Sequence, residues 1–243
     1  DYIVAHGVYA WVPAPVREAL MNLAGALLSQ DGLLFLSYNV SPGCGVRAMV
    51  RAALLDAVDG LDRPQDRLAA ARERLVFLTQ DLGGTDSTAV AVRDEAARML
   101  ERPLEVLFHD ELGSCFEPQS LAAVARAARA ADLLYLADAA LPVSAELFFP
   151  TPARDDVRAL AGADWLAFER LDDQRTARRF RQSLLCRTSA PVDRRLAADR
   201  LARLHASAPV EPAPASPDQP DVRRFRFGRA GSLGTGDAAF AAL

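Results

Sequence analysis

The stretch DYIVAHGVYAWVPAPVREALMNLAGALLSQDGLLFLSYNV, residues 1–40, decides how the rest of the chain is read. Residues 2–5 form a short apolar run that breaks at His6-Gly7, which predicts a buried strand. Pro13 and Pro15 then open a helix over 14–29, on which Val16, Leu20, Leu23, Leu27 and Leu28 recur at the spacing of one buried face. Gly32 is expected to end it through a positive φ. Residues 33–39 read as a second strand, apolar for long enough to suit a sheet covered on both faces. Strand, helix, short turn, strand is a βαβ unit, so the two strands are expected to be parallel neighbours in an α/β fold.

Beyond residue 40 the character turns helical. Helices are expected near 46–58, over 65–82 after Pro64, and over 86–101. "PQSLAAVARAARAADLLYLADA" then predicts a helix feeding a strand at 133–137, in the same sheet as the first two. A further helical stretch is expected from about 154 to 206. Residues 207–221 carry five prolines and read as a linker. "VRRFRF" (222–227) alternates like an edge strand and opens a further domain.

Composition bounds the function. At 51% apolar and 25% charged the 243-residue chain is globular, with length for one large or two small domains. No apolar run approaches the roughly 20 residues needed to span a bilayer. Three scattered cysteines (Cys44, Cys115, Cys186) exclude a disulfide framework and fit buried thiols in a reducing cytosol, so the expected location is cytoplasmic. The net charge of −4 argues against a nucleic-acid partner. All 28 basic residues are Arg. Nine of them fall in 174–205 against two Asp, a run expected to be a solvated helix face.

Three groups of residues bear on chemistry. "SPGCG" at 41–45 links a strand to a helix, where a Gly-x-Gly turn can cradle a phosphate or carboxylate. The acidic residue of a full nucleotide fingerprint is missing, and an ordinary tight turn is the better reading. His6, Tyr9 and Trp11 follow the carboxyl end of one parallel strand, and Tyr38 and Asn39 that of the next. Ligands of open α/β sheets bind at that edge, so these five are expected to share a pocket wall. His109, with Asp110, Glu111 and Glu117 nearby, lacks metal-ligand spacing, and no metal is expected; His205 reads as a helix-terminal cation.

Taken in order, "DYIVAHGVYAWVPAPVREAL", "GLLFLSYNVSPGCGVRAMVR", "LFHDEL…EP", "LLYLADAALP" and "RRFRQSLLCR" resemble the bacterial S-adenosylmethionine-dependent methyltransferases that carry a methyltransferase regulatory domain, a group that includes protein-lysine methyltransferases. The resemblance runs from residue 1 to about 205. It implies the carboxyl-terminal part of a Rossmann-like class I methyltransferase sheet over 1–140, with a helical insertion at about 46–117. A helical regulatory domain over 141–206, the Pro-rich linker at 207–221, and the start of a winged-helix-like domain at 222–243 would follow. By that analogy residues 2–5 and 33–39 are the fourth and fifth strands. The main S-adenosylmethionine loop would precede Asp1, and the chain would be an internal fragment.

Residue by residue, the resemblance puts His6, Gly7 and Val8 against the cofactor. It puts Tyr9 and Asn39 at the reaction, and Trp11, Tyr38, Pro42 and Gly43 on the acceptor side. The family's "PGW" followed by His is replaced here by Pro42-Gly43-Cys44-Gly45, which bears on acceptor choice. "RRFRQSLLCR" (178–187) would be a structural signature of the regulatory domain. A protein lysine is the implied acceptor. The contrasting expectation is a catalytically silent regulatory module that forms a homodimer through its 46–131 helices.

Overall fold

The computed structural model describes residues 1–80, 86–140, 151–193, 211–214, 218–227 and 231–236. The chain divides into two units, Asp1–Arg194 and Arg195–Leu243. The first is built on the expected βαβ unit. β1 (Tyr2–Ala5) and β2 (Leu33–Asn39) are parallel neighbours, in register from Tyr2 opposite Leu33 to Ala5 opposite Leu36. α1 (Ala14–Leu27) joins them, entered through Pro13 and Pro15.

Three helices follow β2: α2 (Gly45–Ala57), α3 (Pro64–Thr79) and α4 (Ser87–Leu100). Asp86 caps α4 by accepting from the amides of Thr88 and Ala89, both at 3.0 Å. A single turn, α5 (Leu104–Val106), runs into a π-helical turn over Leu107–Glu111. These helices bury their own core, with Val50, Leu54, Leu75, Met99 and Leu107 at its centre.

The chain then returns to the sheet. Ser120 caps α6 (Leu121–Ala130), and β3 (Leu133–Asp138) follows, in the same sheet as expected. Next come α7 (Asp155–Ala161) and α8 (Trp165–Thr176), the latter ending on Ala177 in the left-handed region at φ 48°. The helical reading of 154–206 fails at the next element. β4 (Phe180–Arg187) is a strand, and it inserts antiparallel between β2 and β3 to give the order β1-β2-β4-β3. It was hidden because three of its first residues and the one before it carry large polar or aromatic side chains, and its pairing partners lie far away in sequence.

The α1 reading holds for Leu28, which is buried, and for Leu20, which packs against the core, but not for the rest of the stripe. Val16, Leu23 and Leu27 are exposed, at 45%, 60% and 68%, and the helix instead buries Arg17, Met21, Ala24 and Gly25. The cause is the closeness of the segment that follows α6: a Cβ on Gly25 would come within 2.1 Å of the Ala131 carbonyl oxygen. α1 also ends before Gly32, at Leu28 in extended conformation, and Gly32 is not among the positive-φ glycines. Leu28, Leu34, Leu36, Tyr38, Val124, Ala128, Leu133 and Leu185 complete the core between the sheet and α1 and α6.

The second unit contains a three-stranded antiparallel sheet of β5 (Glu211–Ala213), β6 (Arg223–Phe227) and β7 (Gly231–Thr235), with β6 in the middle. Two expectations change accordingly. "VRRFRF" is a central strand, and part of the Pro-rich 207–221 segment is itself a strand. His205 lies outside the described residues.

Candidate functional site

The carboxyl ends of β1 and β2 meet through one serine. Ser37 Oγ accepts from the Gly7 amide at 2.8 Å and lies 2.9 Å from His6 Nδ1. Gly7 takes φ +68°, a conformation open to glycine and strained for most other residues, and this turns the chain sharply out of the sheet. The space where a Cβ would project from Gly7 is empty to 4 Å, so its backbone is approachable. The His6 ring lies 6.1 Å from that of Phe35 and meets Phe180 edge-on at 6.4 Å. His6 is thereby anchored by its turn. Val8 stands beside it, 41% exposed.

The expected wall of five residues is divided by the structure. His6 and Asn39 belong to one sheet face at this edge: Asn39 pairs across the strands with Phe180, and no described residue hydrogen-bonds its side-chain amide. Tyr38 projects from the other face. It is buried, its hydroxyl lies 3.1 Å from Ser183 Oγ, and burial pushes its pKa upward. Tyr9 is buried beside it, with ring centroids 6.1 Å apart. Its pKa is also raised by burial, against the lowering field of Arg17. Tyr9 borders a cavity of about 380 Å³ between α1 and α6 rather than the surroundings of His6.

Trp11 goes to a third place. Its ring lies 4.6 Å from that of Phe116, and the Arg47 guanidinium sits over both, 5.1 and 4.9 Å from the two centroids. Arg47 is itself held by the buried Glu111 at 2.7 Å, which Arg102 also grips. A cation–π partner therefore already occupies one face of Trp11. Of the residues near His109, Glu111 serves this ion pair and Glu117 pairs with Arg17, while exposed His109 meets Asp110 at 3.1 Å. Among the described residues no cluster suited to a metal occurs.

The turn at 41–45 holds a second strand exit in place. Pro42 is exposed, following a cis peptide bond from Ser41. Gly43 is pressed against the chain after α8: a Cβ there would come within 1.9 Å of the Arg178 carbonyl oxygen and 2.4 Å of that of Ala177. Only glycine allows that approach, so the turn serves packing. Cys44 is buried and donates its thiol to the Arg179 carbonyl at 3.2 Å. All three cysteines are free thiols, and Cys115 is half-buried.

The arginine run marked residues 178–181 as a solvated helix face, and only the resemblance gave 178–187 a structural role; their ion pairs were not legible in the sequence. Arg178 contacts Asp138, Asp172 and Asp173. Arg179 clasps buried Glu95 of α4, with Nη1 at 2.9 Å from Oε2, and its carbonyl accepts from the Val40 amide at 3.0 Å. Arg181 has no exposed side-chain surface; it meets Asp173 at 2.7 and 2.8 Å, Glu169 at 2.6 Å and Asp138 at 3.2 Å. Burial raises the carboxyls of Glu169 and Asp173 despite the pull of Arg181. For Arg181 burial alone would lower the pKa, but its bonds to Asp173 and the field of its neighbours leave it raised. Phe180, between the two clasps, reaches the rim beside His6.

Residues 103–187 match the family described as predicted methyltransferase regulatory domain, a range that includes α6, β3, α8 and β4. PKMT2 from Rickettsia typhi is similar in structure, at a TM-score of 0.75 and 26% identity, with a match that covers 100% of this chain and 47% of the PKMT2 chain. PKMT2 in complex with AdoHcy gives the same TM-score and identity over 48% of its chain. The chain is methyltransferase-like. Two uncharacterized proteins of Rickettsia prowazekii are also similar. One is 28% identical over 206 residues, covering 84% of this chain and 37% of that protein; the other is 30% identical over 114 residues, 46% of each. This methyltransferase-like chain therefore spans less than half the length of these relatives. No described helix is long and apolar enough to cross a membrane.

Proposed function

We propose that this chain is the carboxyl-terminal part of a Rossmann-like methyltransferase sheet with its regulatory region, and that the whole protein transfers methyl groups from S-adenosylmethionine to protein lysine side chains. The observation that carries the reading is the likeness of the full chain to PKMT2, which has been captured with AdoHcy, the product left by methyl donation. The geometry is consistent. β1 is an edge strand with Tyr2 and Val4 exposed at 80% and 68%, and α1 presents the apolar stripe of Val16, Leu23 and Leu27 outward. In this reading both surfaces are covered by preceding strands and helices that also hold the main cofactor loop. In this reading the methyltransferase sheet takes in β4 as well as the strands of residues 1–140, so the regulatory region is woven into it, with the helices of about 46–117 inserted after β2; residues 195–243 form the second unit and would open the winged-helix-like part.

In this reading the residues at the β1 exit would hold one end of the cofactor. Gly7 offers an unobstructed backbone and Val8 an exposed apolar side chain. His6, Gly7 and Val8 would lie against its methionine end, where the bound sulfonium supplies an electrophilic methyl carbon. This chain's own task is to bind and orient the acceptor. A lysine, with an ordinary pKa of about 10.4, must lose its proton before it can attack, and burial of its stem against apolar side chains favours the neutral amine. Asn39 presents an amide to orient that amine. His6 holds the turn through Ser37. Tyr9 and Tyr38 support the edge from the core, Gly43 fixes the turn after β2 by packing, and Trp11 and Pro42 keep the acceptor-side role that the resemblance implies.

The test is titration of AdoHcy into two proteins: the 243-residue chain, and the same chain preceded by the upstream open frame of its gene. The short chain should bind weakly or not at all, and the longer one in the micromolar range, with methyl transfer to protein lysine. No binding to the longer protein overturns the reading. The competing reading, a silent dimerising module, draws on exposed Met49, Val76 and Phe77 of α2 and α3. It requires sedimentation of the chain as a dimer together with the absence of methyl transfer from the longer protein.

A further inference from the structure

The rim residue that β4 delivers extends the proposed site. Phe180 is a large apolar side chain left 41% exposed at the carboxyl edge of the sheet. It stands directly opposite Asn39 in an antiparallel pair, so the two side chains project from the same face, with Cβ atoms about 5 Å apart. Its ring also meets His6 edge-on. Phe180, Asn39 and His6 therefore form a continuous rim across β4, β2 and β1.

The backbone that carries Phe180 is held from both sides. Arg179 clasps Glu95 of α4 and gives its carbonyl to the Val40 amide and the Cys44 thiol. Arg181 is locked among Asp173, Glu169 and Asp138. Held so firmly, an exposed aromatic ring is pre-organised to contact a ligand. A lysine side chain matches that contact: an apolar stem of four methylenes for the ring, and an amine head for the neighbouring amide.

We propose that Phe180 is the acceptor-binding wall of the site, contacting the aliphatic stem of the acceptor side chain beside Asn39 and setting acceptor specificity. The regulatory region thus completes the acceptor site with its own strand. This rests on the methyl-transfer reading above.

The experiment uses the longer protein, labelled S-adenosylmethionine, and an alternating alanine–lysine peptide as the acceptor probe. Phe180→Ala should raise KM for the peptide about tenfold or more, the scale of a lost apolar contact, and leave the AdoHcy dissociation constant within twofold. Phe180→Leu should recover most of the loss, which separates contact from fold. If the wild type transfers and Phe180→Ala keeps its KM for the peptide, the proposal falls while the methyl-transfer reading stands. If AdoHcy binding weakens as much as KM rises, in Ala and Leu variants alike, Phe180 acts on the fold and the proposal also falls. If the wild type binds AdoHcy yet transfers nothing to the peptide, the lysine reading falls and takes the proposal with it.

Discussion

Along β2, Leu34, Leu36 and Tyr38 are closed in by α1 and α6, whereas Leu33, Phe35 and Asn39 on the opposite face remain half-buried. The same alternation continues on β4, where Arg181, Ser183 and Leu185 are buried while Phe180, Gln182 and Leu184 keep access to solvent. One set of strands thus carries two jobs at a spacing of one residue. The covered face supplies stability, and even its polar members, Tyr38, Ser183 and Arg181, are spent on internal partners. The open face carries His6, Asn39 and Phe180, whose side chains can meet something outside. A residue next to a site residue in sequence is consequently a poor guide to the site.

Four substitutions can break or sharpen this contrast. The largest effect is expected from Arg181→Met on the covered face. It would leave Glu169 and Asp173 buried with reduced compensation, and loss of one partner of a buried ion pair costs about 3–5 kcal/mol. Chemical denaturation of the folded first unit should register it; a loss below about 1 kcal/mol would mean that Arg178 can replace the missing charge. Leu36→Ala should follow, at about 2–4 kcal/mol, because the side chain is wholly buried and leaves a cavity.

Glu95→Gln tests the Arg179 clasp and has a pH signature. Burial raises the Glu95 carboxyl, but hydrogen bonds from Arg179 and Arg98 outweigh it and leave the pKa below its ordinary 4.5. A depressed carboxyl stabilises the fold above its unfolded value and loses that contribution as pH falls through the folded one. The wild type should therefore exceed Glu95→Gln by about 1–2 kcal/mol at pH 7, discounted for the partly exposed arginines. The gap should close below pH 4.5. A gap that is unchanged between pH 7 and pH 3 would assign the effect to packing.

Leu23→Ala is the smallest. It should shift the denaturation midpoint of this chain by no more than about 0.5 kcal/mol, since the side chain is 60% exposed. In the longer protein the same change should cost more, as the proposed covering of the α1 stripe would bury it. Equal effects in the two proteins would argue that the stripe stays open.

Local periodicity by itself determined the βαβ unit, the helices of 45–57, 64–79, 87–100 and 121–130, and the strand at 133–138, because apolar spacing and the Pro64 start are written within single segments. It also located the strand exits at His6 and Asn39. It could not choose between the two adjacent stripes of α1. Hydrophobicity favours Val16, Leu20, Leu23, Leu27 and Leu28, of which only Leu20 and Leu28 pack on the core; contact with the segment after α6 favours small Ala24 and Gly25, which permit the close approach at Ala131. Tertiary structure alone decided the strand at 180–187. Its Arg181 becomes compatible with burial only when Asp138, Glu169 and Asp173 converge on it and neutralise its charge, while Arg179, just ahead of the strand, finds Glu95 84 positions away in sequence. For the same reason the rim formed by His6, Asn39 and Phe180 exists only after folding, since the third member arrives on a strand that runs the opposite way.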